Sequence, residues 1–256
     1  MLTDAPYHPS LAVTDLAKSR TWYADKVGWE PTVEPPGTLV YEVAPTSAFT
    51  LYESEFAGTA KNTVMNWVVE DVQAEVARLR ENGVEFENYD FGEYKTVDGI
   101  MGNDEYGYNA WCKDPDGNIV GVISPAPNSG DHGPAIAGMI ATVDLDRAVA
   151  WFRDKLGFEP AFVYEGVVAN YKSGDTAFSV YKTEFAGTAK NTVGVWRLSG
   201  IRDEVARLRG NGVEFLQYDF GDEGKTVGGI ISDAQGDVNA WFADGDGNIF
   251  AIAEDR

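Results

Sequence analysis

The residues at the start of the chain alternate between polar and apolar as in a strand and then switch to a helical period. Pro9 to Val13 predicts a short strand, and Thr14 or Asp15 is a suitable N-cap for the helix that follows. Gly28 is expected to end that helix. The apolar face of the helix is predicted at Leu16, Trp22, Tyr23 and Val27. Three β-rich segments separated by proline turns complete a βαβββ unit: Glu30 to Glu34, Thr38 to Ala44 and Ala48 to Glu53.

The same order of elements is predicted a second time. Val64 to Val69 has the pattern of a strand, Asp71 is an N-cap, and Val72 to Asn82 follows as a helix that Gly83 ends. Strands are expected near Val84 to Tyr89, Tyr108 to Lys113 and Ile119 to Ser124. The turn Asp114-Pro-Asp-Gly-Asn118 is expected to join the last two as a hairpin. Roughly the first 124 residues therefore predict two consecutive βαβββ units.

The second half of the chain repeats the first. The decapeptide Glu55 to Val64 recurs without a change at Glu184 to Val193, an offset of 129 residues, and the surrounding sequence stays aligned. We therefore expect two domains, 1–124 and 135–256. Residues 125–134, which include three prolines and two glycines, are expected to form the linker between them.

Charge and composition exclude several classes of partner. The net charge is -21 and there is no basic cluster, so nucleic acid and anionic membranes are not expected partners. No apolar run approaches the roughly 20 residues that a membrane-spanning helix needs, and the first ten residues do not resemble a signal peptide. The single cysteine, Cys112, fits a reducing compartment. These features favour an acidic, soluble, cytoplasmic protein.

Three features of both halves resemble the vicinal oxygen chelate superfamily, which includes glyoxalase I, bleomycin resistance proteins and extradiol dioxygenases. The first is Asp15-Leu-x-x-Ser-x-x-Trp-Tyr followed by Gly28-Trp29; the others are the helix from Asp71 that ends in Gly83-Val-Glu-Phe86, and Asp114-Pro-Asp-Gly-Asn118. The resemblance implies an α+β fold with a tandem duplication. It also implies that each half pairs its two βαβββ modules into a curved mixed sheet around a concave pocket, with helices outside.

The resemblance also implies which positions would bind a divalent metal, and most of those positions carry residues that are not metal ligands. His8 matches a first-strand histidine, but its repeat equivalent is Ala137. Asn62 to Val64 stands near the second histidine position, and Gly121 and Ala251 stand where a carboxylate is expected. Glu53 is the nearest carboxylate in the fourth strand. We therefore predict no cofactor, with His8 and Glu53 as the only weak metal candidates and a divalent ion as the less favoured alternative.

Strand alternation predicts which side chains face each pocket. His8 and Ser10 should share the concave side of the first strand, and Asn109 and Trp111 should share one face of theirs. His8 is also the only catalytic candidate, as an acid or base. The predicted ligand-binding residues are His8, Ser10, Tyr52, Phe56, Trp67, Asn109 and Trp111 in the first half, and Tyr181, Phe185, Trp196, Asn239 and Trp241 in the second. For each aromatic residue the alternative is simple core or sheet packing.

Several interpretations stay open at this stage. The repeated decapeptide either packs a crossover turn or forms a pocket rim through Lys61, Asn62, Lys190 and Asn191. The favoured function is metal-free binding, or sequestration, of a small aromatic or antibiotic-like molecule. The alternatives are a divergent lyase, isomerase or dioxygenase acting on a small oxygenated substrate, and a scaffold with degenerate pockets. The chain is expected to be a monomer, as a pseudo-dimer of halves, or a homodimer.

Overall fold

The chain consists of four successive modules, and each module contains several strands and one α-helix. The computed structural model describes residues 1–92, 94–125, 135–221, 224–232 and 236–254. The first module contains β1 (Tyr7–Val13), α1 (Leu16–Trp22), β2 (Thr38–Ala44) and β3 (Ser47–Glu53). The second contains β4 (Thr63–Val68), α2 (Val72–Glu81), β5 (Ile100–Asn103), β6 (Gly107–Lys113) and β7 (Ile119–Ser124).

The second half repeats this order of elements. The third module contains β8 (Ala135–Thr142), α3 (Leu145–Trp151), β9 (Phe162–Tyr164), β10 (Val168–Ser173) and β11 (Thr176–Lys182). The fourth contains β12 (Thr192–Arg197), α4 (Ile201–Gly210), β13 (Ile230–Ser232), β14 (Val238–Ala243) and β15 (Ile249–Glu254). Among the described residues, no helix is long and apolar enough to cross a membrane.

The modules form two mixed sheets, and this confirms the predicted α+β fold with duplicated halves. The strand order is β13-β14-β15-β12-β1-β3-β2 in the first sheet and β5-β6-β7-β4-β8-β11-β10-β9 in the second. The sequence predicted that the two modules of each half would share one sheet, and this prediction was wrong. The first module pairs with the fourth and the second with the third, because β1 adds to β12 and β4 adds to β8, both antiparallel. Each sheet therefore contains one module from each half of the sequence.

Two irregular segments replace strands that the sequence predicted. The segment 30–34 makes only one β-bridge, from Val33 to Val40, since prolines at 31, 35 and 36 cannot donate to a ladder. The segment 84–89 also makes a single bridge, from Phe86 to Cys112. The strand that pairs with the outer edge of β6, on the side away from β7, is β5, which the sequence pattern did not predict.

The first three helices begin at the predicted kind of cap. Asp15, Asp71 and Asp144 each accept a hydrogen bond from a backbone N–H in the first turn. After α1 and α3 the chain continues as a single π-turn, and Gly28 and Gly157 then end it with φ of 86° and 87°. Such positive φ values favour glycine because it has no Cβ. These helices cover one face of each sheet and leave the opposite face open.

The repeated decapeptides contact each other at the junction of the two halves. The backbone N–H of Lys61 donates to Thr188 Oγ1 at 2.9 Å, and that of Lys190 donates to Thr59 Oγ1 at 3.1 Å. Two tyrosines continue the same symmetry, because Tyr181 Oη accepts from the Thr63 N–H and Tyr52 Oη accepts from the Thr192 N–H, both at 2.8 Å. A two-fold contact of this kind places the same residues on both sides, which gives the identity of the two decapeptides a structural role.

Tyr7 fills the space between the two sheets. Its ring stacks edge-on against Trp196 and tilts against Phe178, with centroids 4.8 and 5.1 Å away. A Cβ on Gly138 would stand 2.2 Å from the Tyr7 ring, and one on Gly194 would stand 2.0 Å from its hydroxyl oxygen. Both glycines are therefore needed for β8 and β12 to pass this side chain.

Candidate functional site

The open face of the second sheet carries a continuous row of side chains without an ionisable acid or base. Directly paired residues in a sheet point to the same face, so the strand register identifies the row. It runs across seven strands, from β9 at one edge to β6 near the other. We call it the uncharged row: Phe162, Asn170, Ser179, Met139, Ala137, Asn66, Gly121 and Trp111.

Polar groups within the uncharged row bind one another. Ser179 Oγ donates to Asn170 Oδ1 at 2.6 Å, and Asn66 Nδ2 donates to Met139 Sδ at 3.1 Å. Asn66 lies near the middle of the row and is only 9% exposed, although no helix covers this face. Such burial on an uncovered face indicates that the surface is concave.

An aromatic wall and an exposed aromatic rim border the uncharged row. Trp111 contacts Tyr89 edge-on at 5.4 Å, and Tyr89 stacks on the exposed Phe91 at 5.5 Å. The rim consists of Tyr94, Tyr106, Phe162 and Tyr164, which are exposed to 63%, 59%, 58% and 38%. Together they provide flat apolar surface on at least two sides of the row.

The rim also shows that the second sheet is strongly curled. Tyr106 lies in the turn after β5 and Tyr164 ends β9, at opposite edges of eight strands. In a flat sheet those edges would be about 34 Å apart, at roughly 4.8 Å per strand pair. The pKa of Tyr106 is nevertheless raised, first by hydrogen bonding to Glu105 and its charge, and further by Tyr164 and Tyr94. The two edges therefore approach each other, as in a half-barrel.

The first sheet has an equivalent row with different chemistry. We call it the histidine row: Val40, Thr50, Ser10, His8, Val195, Ala251 and Trp241. Burial, and then the positive charge of Arg197, lowers the pKa of His8 from 6.5 to about 4. His8 is thus neutral at physiological pH. It replaces Ala137 of the uncharged row, and Val195 and Ala251 replace Asn66 and Gly121.

The structure brings only some of the predicted residues to these rows. His8, Ser10 and Trp241 lie in the histidine row, and Asn239 is two residues from Trp241 on the same face. Trp111 lies in the uncharged row with Asn109 beside it. Because the modules exchange partners, Tyr181 belongs to the face of Trp111, and Tyr52 belongs to the face of Trp241.

Two predicted ligand contacts are corrected by burial. Trp67 and Trp196 are 3% and 0% exposed and point to the helix-covered side, where Trp196 Nε1 donates to Ser173 Oγ at 2.9 Å. They are core residues. Phe56 and Phe185 are half-exposed in the turns after β3 and β11, outside both rows. Because Phe56 and Phe185 lie in turns, strand alternation could not predict on which side of a sheet they would lie.

The residues present do not fit the metal site that the fold suggests. Among the described residues, no three His, Cys, Asp or Glu side chains stand together as a possible metal site. Glu53 pairs with Val13, five residues along β1 from His8 and on the other face. In the second sheet position 121 is a glycine, and the neutral Asn66 amide occupies the space beside it, since a Cβ there would stand 2.1 Å from Asn66 Oδ1. Neither face offers a set of ligands for one ion.

Open pockets also occur away from both rows. One of about 400 Å³ is lined by Lys18, Trp22, Lys26, Lys113 and Asp114, beside α1. Lys18 and Lys26 already donate to backbone carbonyls there, and Lys113 pairs with Glu87 at 2.7 Å. The lysines are thus held by the protein itself, and the rows remain the better candidates.

Comparisons with known proteins agree with the fold. Residues 6–122 match the model of the Glyoxalase/Bleomycin resistance protein/Dioxygenase superfamily. Glyoxalase I from Zea mays superposes with a TM-score of 0.65 at 14% identity, over 96% of this chain and 91% of that one. A proposed dioxygenase from Bacillus subtilis superposes with a TM-score of 0.61 at 16% identity, over 99% and 86%. No curated protein matches the sequence.

The match to this superfamily therefore applies to residues 6–122. The family model covers the first half, and the second half repeats its sequence and its elements. At these identities the superpositions establish the fold alone, so the activity has to be argued from the two rows.

Proposed function

We propose that the protein binds a small, flat aromatic molecule on the uncharged row without using a metal ion. The observation that carries this proposal is the row itself: small, thioether and amide side chains form the floor, and Trp111 stands at one side of it. Binding sites for small molecules are typically concave and mostly apolar, with a few polar groups that fix orientation. The Trp111 ring offers an aromatic ligand a surface on which to stack.

The chemistry of the row supports binding rather than metal chemistry. Thioether and neutral amide groups are weak ligands for the divalent ions that activate oxygen substrates. The row also contains no residue that titrates near neutral pH, so it supplies no general acid or base. Sequestration of the ligand requires neither.

Calorimetric titration with two neutral flat probes, naphthalene and quinoline, tests the proposal. Binding is expected in the presence of a chelator and should weaken about two- to tenfold in Trp111→Leu, since an aromatic contact contributes about 0.5–1.5 kcal/mol beyond its buried area. Trp241→Leu, the equivalent change in the histidine row, is the matched control. Binding that requires added metal, or that Trp241→Leu weakens as much as Trp111→Leu, would contradict the proposal.

His8 supports a second candidate function, a metal-free enzyme on the histidine row. A buried neutral imidazole beside Arg197 can accept a proton from a substrate that the guanidinium helps to orient. Its pKa of about 4 makes it a weak base at neutral pH, where a catalytic pKa close to the working pH is best. For this reason binding is the function that the site supports best. Turnover lost in His8→Gln and kept in Trp111→Leu would favour the enzyme.

A further inference from the structure

Asn66 presents an unpaired hydrogen-bond acceptor on the floor of the uncharged row. Its side chain is nine-tenths buried, and its Nδ2 group is already bound to Met139 Sδ. Across the described part of the chain, no donor bonds to Asn66 Oδ1. Asn66 Oδ1 can therefore accept a hydrogen bond from a donor that binds on this face.

Gly121 makes room for this acceptor. A Cβ at residue 121 would stand 2.1 Å from Asn66 Oδ1, so that Asn66 would have to leave its present position, and 3.6 Å from Trp111 Nε1. The missing Cβ therefore leaves one small space bordered by a carbonyl oxygen and an indole N–H. No hydrogen-bond partner of Trp111 Nε1 occurs among the described residues either.

The histidine row provides an internal comparison. There the indole is retained as Trp241, but Val195 stands in place of Asn66 and Ala251 in place of Gly121. The two differences depend on each other. The observed orientation of the amide at 66 requires glycine at 121, whereas valine stands beside alanine at 195 and 251. One sheet of the duplicated chain has thus kept, or acquired, the polar pair as a unit.

We propose that Asn66 Oδ1 and Trp111 Nε1 act together as an acceptor and a donor that recognise an N–H beside a C=O on the edge of a flat ligand, as in a lactam fused to an aromatic ring. The ligand N–H donates to Asn66 Oδ1, and its carbonyl accepts from the Trp111 indole. This inference rests on the proposed function, because it names the class of molecule that the uncharged row selects. Asn66 and Trp111 are then specificity-determining residues.

Three probes of nearly the same size separate this inference from the proposed function: isoquinolin-1(2H)-one, its N-methyl derivative and naphthalene. The lactam is expected to bind about tenfold or more tightly than the N-methyl compound, since a site built around a hydrogen bond rejects a ligand that lacks the donor. The indole N–H signal of Trp111, identified by its absence in Trp111→Leu, should move downfield with the lactam, as the signal of a donor does on hydrogen bonding, and should not move downfield when naphthalene stacks on the ring.

The double variant Asn66→Val with Gly121→Ala is the decisive protein change. It installs the pair that the histidine row already uses, so the sheet should fold normally, which thermal unfolding checks. We expect the preference for the lactam over its N-methyl derivative to disappear.

Each result has a distinct meaning. Equal binding of the lactam and its N-methyl derivative by the unchanged protein would overturn the inference and leave the proposed function standing if naphthalene binds. A preference that survives in the double variant would also overturn it, because another group would be the acceptor. Failure of all three probes to bind would overturn both.

Discussion

The charge state of His8 is decided by its surroundings rather than by its own chemistry. Burial removes water from the imidazolium and Arg197 adds a like charge, and together they lower the pKa of His8 to about 4. A histidine whose pKa is lower in the folded chain than in the unfolded chain contributes fully to the free energy of unfolding at a pH above its unfolded pKa of about 6.5. That stability is lost as the pH falls from about 6.5 towards 4.

Titration of the histidine signals by NMR checks this state directly. The chain has two histidines, so His8→Gln identifies the signal of His8. We expect the midpoint of the His8 titration near pH 4. Between pH 7 and pH 4 the free energy of unfolding should fall by up to about 3 kcal/mol more in the unchanged protein than in His8→Gln. A midpoint near 6.5 would show that the imidazole is accessible to water and that Arg197 does not influence it.

The sequence predicted the individual residues of the candidate site less well than it predicted the fold. Alternation along one strand placed His8, Ser10, Asn109 and Trp111 together in pairs, because side-chain direction in a strand has a period of two. Asn66 was missed, although its repeat equivalent is a valine and that of Gly121 is an alanine. The linked difference between the repeats was the available signal, but its meaning depends on a distance across two strands that no periodicity reveals.

At the scale of elements, four tyrosines in equivalent strands differ in what their hydroxyls do. Tyr52 and Tyr181, on β3 and β11, each accept the backbone N–H of a threonine in the other half. Tyr41 and Tyr171, on β2 and β10, point into the core, where their hydroxyls are buried without a partner. The first pair joins the halves, and the second pair does not depend on the hydroxyl.

Changing each pair of tyrosines to phenylalanine separates these roles. Tyr52→Phe with Tyr181→Phe leaves two backbone donors unpaired and should lower the free energy of unfolding by about 1–3 kcal/mol for each site. Tyr41→Phe with Tyr171→Phe is the matched control and should be neutral or slightly stabilising, since it removes buried oxygens that have no partner. Chemical denaturation measures both; equal losses in the two double variants would contradict a joining role for Tyr52 and Tyr181.

Most elements were predictable because caps, turns and helical period are local. The exceptions are 30–34 and 84–89, where apolar composition suggested strands that backbone pairing did not form. The fifth strand, β5, was missed for the opposite reason. Its sequence, Ile100 to Asn103, contains a glycine and an asparagine and alternates poorly, and it becomes a strand only because β6 pairs with it.

At the scale of the whole molecule, the exchange of modules makes the two halves depend on each other. The sequence could not predict this exchange, because the four modules are alike and β1 has the same pattern whether it pairs with β4 or β12. The structure joins the halves through two antiparallel strand pairs, β1 with β12 and β4 with β8. Both rows cross these pairs: His8 faces Val195, and Asn66 faces Ala137.

Cutting the chain within residues 126–134 tests this dependence. A protease site inserted there and cleaved should leave the two fragments as one complex that elutes like the uncut protein and separates only in denaturant. Each fragment alone would expose β1 and β4, or β8 and β12, as unpaired strands, which favours self-association. The uncleaved insertion variant is the control. Elution of the fragments as two separate folded monomers would show that each half completes its own sheets, contrary to the strand order described above. Probe binding by the cleaved complex, and its loss when the fragments are parted, would show in the same experiment that the uncharged row needs both halves.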